Sequence, residues 1–227
     1  MRGFQAIRAD ESTRLGFDQV FGVSRGVTGV SLKGLAYQSK LLEVSKGETK
    51  TESFLKLNPR GQVPVLKDGD IVIYESLAIL AYLDRQYPKK PLFGTTSAEH
   101  GYIWQCTLEQ LNHSMKPIFK VIWPLWRGEA KDKSDDIKQA SDECHAVLAQ
   151  LDEKLMQKPY IAGNEISAAD IAIFPTLQCL INAASQNDAA SLKLNLLPFS
   201  TTYPHIAAWQ ERIEAIPGYK RTFRPHW

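Results

Sequence analysis

Glu75 and Ser76 stand directly before an apolar run in which Leu77, Ile79, Leu80 and Leu83 fall at helical spacing, uninterrupted by glycine or proline. That spacing puts the pair at a helix N-terminus. Unpaired backbone N–H groups and the positive end of the helix dipole make such a place attractive to a carboxylate. The Ser76 hydroxyl adds a donor, and Glu75 supplies the opposite charge, suited to an amine. Just upstream, Gln62-Val63-Pro64-Val65-Leu66 enters a short apolar run, Asp68-Gly69 is a hairpin turn signal, and Ile71-Val72-Ile73 returns as a second run. Pro64 has no backbone N–H and belongs at a strand's first residue or on an edge. Val63 is then left outside the ladder, its N–H and C=O open to an extended peptide. A cis bond before Pro64 would point these groups outward, and a cis bond is plausible only at X–Pro.

A site that takes a carboxylate, an amine and a stretch of backbone fits a small peptide with a free amino-acid head, as glutathione has. The run Asn58-Pro59-Arg60-Gly61-Gln62-Val63-Pro64, followed by Glu75-Ser76-Leu77-Ala78-Ile79, resembles the glutathione-binding half of the cytosolic glutathione transferases. The look is closest to the theta, zeta and rho-like classes, over about residues 17–227. This resemblance implies a thioredoxin-like N-terminal domain of α/β type followed by an all-helical domain, a homodimer, and glutathione as a cosubstrate with no bound cofactor. It also implies that Gln62 reaches the glycine end of the peptide. Lys50, in the loop Lys46-Gly47-Glu48-Thr49-Lys50, would grip the glycine carboxylate, although an exposed lysine is as readily a solvated one.

Activating glutathione means stabilising its sulfur anion, because a free thiol titrates near ~8.5 and is mostly protonated at neutral pH. Members of the family do this with a Tyr or Ser hydroxyl, or use a Cys for redox work, where the first strand meets the first helix. Aligned on Arg25 and on Leu32-Lys33-Gly34-Leu35, the usual positions read Val20-Phe21-Gly22-Val23, with neither hydroxyl nor thiol. Ser24 is the nearest candidate for the catalytic hydroxyl, and it is equally an ordinary helix N-cap. Thr28 lies one turn further on. The absent cysteine argues against thiol transfer and favours conjugation, in which the thiolate attacks an electrophilic carbon. Two alternatives stay open. Leu32-Lys33-Gly34-Leu35 and Ser76-Leu77-Ala78-Ile79 also look like the zeta-type isomerases, whose serine–cysteine stretch is missing here. A relative that binds glutathione without catalysis is the other.

The elements that must position these residues follow from pattern. Phe17–Val23 has the aromatic and β-branched content of a first strand, Ser24–Lys33 reads as a helix ending at Gly34 and weakened by Gly26 and Gly29, and Tyr37–Val44 alternates as a second strand. Strand, helix and strand give a parallel pair. A helical turn at Glu52–Leu57 leads to the hairpin and its helix. Residues 1–16 read as a disordered extension, since Asp10 and Glu11 argue against a transit peptide despite Arg2, Arg8 and Arg14. Pro88-Lys89-Lys90-Pro91-Leu92-Phe93-Gly94 reads as a linker closing a domain of residues 17–94.

Residues 95–227 carry helical periodicity alone, as in Leu111, Met115, Ile118 and Ile122, in Ile137, Ala140, Cys144, Val147, Leu151 and Leu155, and in Ile206, Trp209, Ile213 and Ile216. Pro117 should kink the first of these helices. Tyr102, His113, Trp123 and Trp126 are candidates to line an apolar pocket for a second, electrophilic substrate, and helix-spaced aromatics are also what a core contains. Ser167 and Asp170 form a capping box, with Ile166 and Ile171 as its hydrophobic staple, a device for folding rather than chemistry.

Composition sets the outer bounds. Lys and Arg number 27 against 25 Asp and Glu, a net +2 that implies neither a nucleic-acid stripe nor an acidic tail. Cys106, Cys144 and Cys179 are far apart and in no CxxC pattern, which fits reduced thiols and a cytoplasmic protein. No metal site is expected, because neither Cys144-His145 nor Cys106 with His113 has ligand spacing. No apolar run approaches the ~20 residues of a membrane span.

Overall fold

The computed structural model describes residues 4–9, 25, 33–217 and 219, which divide into two compact units, the second spanning Phe93–Ala215 and the first made of the residues up to Leu92 and those from Ile216 on. In the first unit, β1 (Phe4–Ala9), β2 (Tyr37–Leu42), β3 (Val65–Asp68) and β4 (Ile71–Tyr74) form one sheet in the order β2-β1-β3-β4. The parallel pair is β1 with β2, Phe4 opposite Tyr37 through Ala9 opposite Leu42, while β3 runs antiparallel to both β1 and β4.

The strand parallel to β2 therefore lies within residues 1–16, the stretch that reads from sequence as a disordered extension. Its Ile7 is 2% exposed in a cluster with Leu42, Phe54, Val63 and Val65. The expected strand at 17–23 lies outside the described residues. So does the helix at 24–33, apart from Arg25, which is helical and buried, and Lys33 at its end. Gly34 follows at φ 65°, a left-handed turn that glycine takes without a Cβ clash.

The hairpin forms as the sequence indicates, with Gly69 at φ 60° in its turn. Helix α1 (Glu52–Leu55) precedes it and α2 (Ser76–Gln86) follows. Ile79 and Leu83 of α2 pack with Leu66 of β3, and Tyr82 donates from its hydroxyl to Asp68 at the hairpin turn over 2.8 Å. The far end of α2 is pinned by Lys33. Its ammonium, on a side chain only 1% exposed, lies 2.7 Å from Asp84 and donates to the Tyr87, Lys89 and Lys90 carbonyls. Asp84 also accepts from the Leu92 N–H.

The second unit consists of helices α3 (Ser97–Glu109), α4 (Met115–Trp126), α5 (Ser134–Gln157), α6 (Ala168–Ala184), α7 (Asn187–Ala190), α8 (Phe199–Thr202) and α9 (Pro204–Glu214). The apolar α6 is its core, packed by α3 and α4, and α5 packs on α4 and α9. Thr96 and Glu99 cap α3 reciprocally, and the Glu99 carboxylate also accepts from Thr95. Pro117 sits three residues into α4, directly after a π-helical turn at Gln110–Ser114 in which the Met115 N–H bonds to the Gln110 carbonyl. Pro117 offers no N–H to the carbonyl four residues back, and the wider turn is where the helix absorbs that loss.

The capping box at the start of α6 forms, and Asp170 does more than close it. Its carboxylate accepts from the Ser167 N–H and hydroxyl, the Ile161 N–H and the Trp209 indole, all within 2.9 Å. Burial raises its pKa, against these four donors which pull it down.

Candidate functional site

The site is built on the open end of the β3–β4 hairpin. Val65 is paired with Tyr74 and Leu66 with Ile73. The ladder ends at Val65 and Tyr74, so Pro64 and Glu75 are the next residues on the two segments leaving it. The Val63–Pro64 bond is cis. Val63 is 3% exposed as a whole, and its backbone N–H and C=O have no partner among the described residues. An edge of peptide backbone is thus open at the foot of the hairpin, in the orientation that strand-like capture of a peptide uses.

Beside it starts α2. The first intrahelical bond runs from the Ile79 N–H to the Glu75 carbonyl, leaving the N–H groups of Ser76, Leu77 and Ala78 directed out of the helix end. Ser76 is 8% exposed, and its hydroxyl has no partner among the described residues. Glu75 is exposed at φ 70°, a conformation costly for a residue with a side chain. No described residue neutralises its carboxylate. A dipole end with three N–H groups and a hydroxyl, next to one free carboxylate, is complementary to an ammonium and a carboxylate carried on one carbon.

The other wall is the loop Asn58–Gln62. Asn58, 2% exposed, donates from its amide to the Gln62 carbonyl over 2.7 Å, accepts from the Arg60 N–H at 3.1 Å, and its own carbonyl takes the Gly61 N–H. Lys50 lies against this loop, its ammonium 3.3 Å from the Arg60 carbonyl and 3.4 Å from that of Gly61. Gly61 is at φ 61°, and a Cβ there would stand 2.8 Å from the Thr49 carbonyl oxygen, so only glycine lets the loop approach the Thr49–Lys50 backbone. The structure thereby gathers Lys50, Gln62, Val63, Pro64, Glu75 and Ser76 in one unit. Ser24 lies outside the described residues.

The glutathione S-transferase N-terminal domain family model matches residues 25–85, and the C-terminal domain model of the same family matches residues 114–217. The chain belongs to the glutathione S-transferase family.

Among related glutathione S-transferases, F14 of Arabidopsis thaliana is 30% identical over 224 residues, covering 94% of this chain and 84% of that protein. Glutathione S-transferase A of Pleuronectes platessa is 28% identical, covering 85% of this chain and 81% of its own length. The crystal structure of a glutathione S-transferase from the Antarctic clam Laternula elliptica superposes with a TM-score of 0.80 at 26% identity, over 99% of this chain and 94% of that one. The thioredoxin-like first unit and helical second unit are the arrangement of this family.

In the second unit of this glutathione S-transferase the four aromatic candidates sit in different surroundings. His113 is exposed in the π turn without a partner among the described residues, and Trp123 is half-buried under the Arg127 guanidinium, 4.1 Å from its ring. Trp126 is half-buried at the end of α4. Tyr102 belongs to a polar cluster with Cys106, Glu109 and Lys154, and the sulfur beside it is the leading cause of its raised pKa. Among the described residues no group of three or more His, Cys, Asp and Glu could hold a metal ion. No helix there is long and apolar enough to cross a membrane.

Two features of the site were not read from sequence. Asn58 was visible as half of an Asn-Pro turn, yet the clamp it closes on Gln62 depends on its burial. The positive φ of Glu75 follows from joining a strand to a helix with no intervening loop, and the directness of that join was the available signal.

Proposed function

We propose that this protein binds glutathione at the foot of the β3–β4 hairpin and conjugates its thiolate to electrophilic small molecules. The observation that carries the reading is the meeting of three open groups: the Val63 backbone, the α2 N-terminus with the Ser76 hydroxyl, and the Glu75 carboxylate. Val63 pairs with the backbone of the cysteinyl residue. Ser76 and the helix N–H groups hold the γ-glutamyl carboxylate, and Glu75 takes its ammonium. Gln62 and Lys50 serve the glycine carboxylate, Lys50 by exchanging its two long carbonyl contacts for a charged acceptor. Glutathione arrives and leaves as a cosubstrate.

Ser24 donates to the sulfur and lowers its pKa, each unit of depression being worth about 1.4 kcal/mol. Tyr102, His113, Trp123 and Trp126 supply apolar surface to the electrophile from the second unit. The active form is a homodimer in the cytoplasm, and the reaction serves detoxification.

Thiolate absorbs in the ultraviolet where thiol does not. Titration of the protein with glutathione gives a thiolate band alongside turnover of an aryl halide, and both fall in Ser24→Ala. Binding with neither band nor turnover would replace this reading with that of a glutathione carrier.

A further inference from the structure

Cys106 is one of three buried free cysteines, and its surroundings differ from those of Cys144, whose thiol burial pushes up to about 12. The Lys154 ammonium donates to the Cys106 sulfur at 3.2 Å, lies 3.4 Å from Glu109, and sits 5.7 Å above the Tyr102 ring. Tyr102, Cys106 and Glu109 occupy one face of α3, and Lys154 comes from the last turns of α5. Burial works to lower the pKa of Lys154, and its contacts with Cys106, Tyr102 and Glu109 outweigh that and raise it. The sulfur itself is fully covered, but its cover is thin: Lys154 and Glu109 are 29% and 45% exposed in their side chains, and Tyr102 is 45% exposed. The lysine that covers it is long and flexible.

We propose that Cys106 and Lys154 form an oxidation-operated covalent switch, in which hydrogen peroxide drives a sulfur–nitrogen bond that staples α3 to α5. The Cys106 thiolate attacks one peroxide oxygen, giving the sulfenic acid and releasing hydroxide. The adjacent Lys154 ammonium gives its proton to that hydroxide, forming water. The neutral amine so produced attacks the sulfenic sulfur and expels a second water. One thiolate, one ammonium and one peroxide yield one sulfenamide and two waters, with the sulfur oxidised by two electrons and the peroxide reduced by two. The lysine thus acts first as proton donor and then as nucleophile, and 3.2 Å allows both. A thiol reductant reverses the link by cleaving the sulfur–nitrogen bond.

The test is intact-mass and tryptic peptide analysis of the whole protein treated with stoichiometric hydrogen peroxide in the absence of glutathione. The expected product is lighter by about 2 Da, joins the Cys106 and Lys154 peptides, resists trypsin after Lys154, and returns to the starting mass with dithiothreitol. Lys154→Arg keeps the charge without the nucleophile, and in it Cys106 stops at a sulfenic acid, heavier by about 16 Da. Any of four results overturns the proposal: an unreactive Cys106, sulfenic or sulfinic acid without a link in the wild type, a link that retains oxygen, or a disulfide that persists in Lys154→Arg.

Discussion

The Asn58 carboxamide donates to the Gln62 carbonyl over 2.7 Å and helps to hold the loop that leads into Val63. Asn58, itself 2% exposed, is the partner of both that carbonyl and the Arg60 N–H, and Asn58→Ala leaves the two without it. The expected loss is about 1–3 kcal/mol of stability. Glutathione affinity falls as well, by roughly tenfold, because the loop no longer presents Gln62 and Val63 in register. Urea melts and calorimetric titration measure the two effects, and a variant with unchanged affinity would detach the loop from the site.

Glu75 separates binding from folding. Its φ of 70° is costly for glutamate and free for glycine, so Glu75→Gly holds or raises the melting temperature. The same change removes the carboxylate assigned to the ammonium of the peptide and weakens glutathione binding by about tenfold or more. A drop in stability with affinity intact would show that Glu75 serves the fold.

Lys33 and Asp84 make an ion pair in which the lysine side chain is 1% exposed. Asp84→Ala strands that charge and frees the Leu92 N–H, for a cost of about 3–5 kcal/mol. Thermal unfolding reads the change directly, and a shift equivalent to less than about 1 kcal/mol would mean that the carbonyls at the end of α2 hold the lysine by themselves.

The legible part of the molecule was the part written in local pattern. The Gln62–Ile73 hairpin, the start of α2 and the Ser167–Asp170 box each depend on residues a few positions apart, and each stands where its sequence points. The strand at Phe4–Ala9 was hidden because its pairing partners are β2 and β3, more than thirty positions away, and the stretch around it reads as a disordered extension. Pro117 announced an irregularity in α4, but proline specifies only a missing N–H, and the π turn just before it was not legible from that. The Lys154–Cys106 contact spans α3 and α5 with nothing in either segment to signal it.

Acid should loosen the start of α3. Backbone and hydroxyl donors of Thr95 and Thr96 hold the Glu99 carboxylate down at about 2, below its ordinary 4.5. A depressed folded pKa stabilises above the unfolded value and is lost as the pH falls through the folded one, so this contribution disappears between pH 4.5 and about 2. At the alkaline end burial raises Tyr203 from 10.0 to about 12, and the sign reverses: its contribution is complete below pH 10.0 and vanishes as the pH climbs towards 12. Melting temperatures across both limbs, in wild type, Glu99→Gln and Tyr203→Phe, should flatten the acid limb in the first variant and the alkaline limb in the second.

The central claim is that the α2 N-terminus and Glu75 hold the amino-acid head of glutathione. The most direct measurement is calorimetric titration of the protein with glutathione and with cysteinylglycine, which has the same thiol and glycine but no γ-glutamyl head. Glutathione should bind at least about a hundredfold more tightly, a difference of about 2.7 kcal/mol that Ser76→Ala reduces. Equal affinity for the two peptides, or a preference untouched by Ser76→Ala, would contradict the assignment.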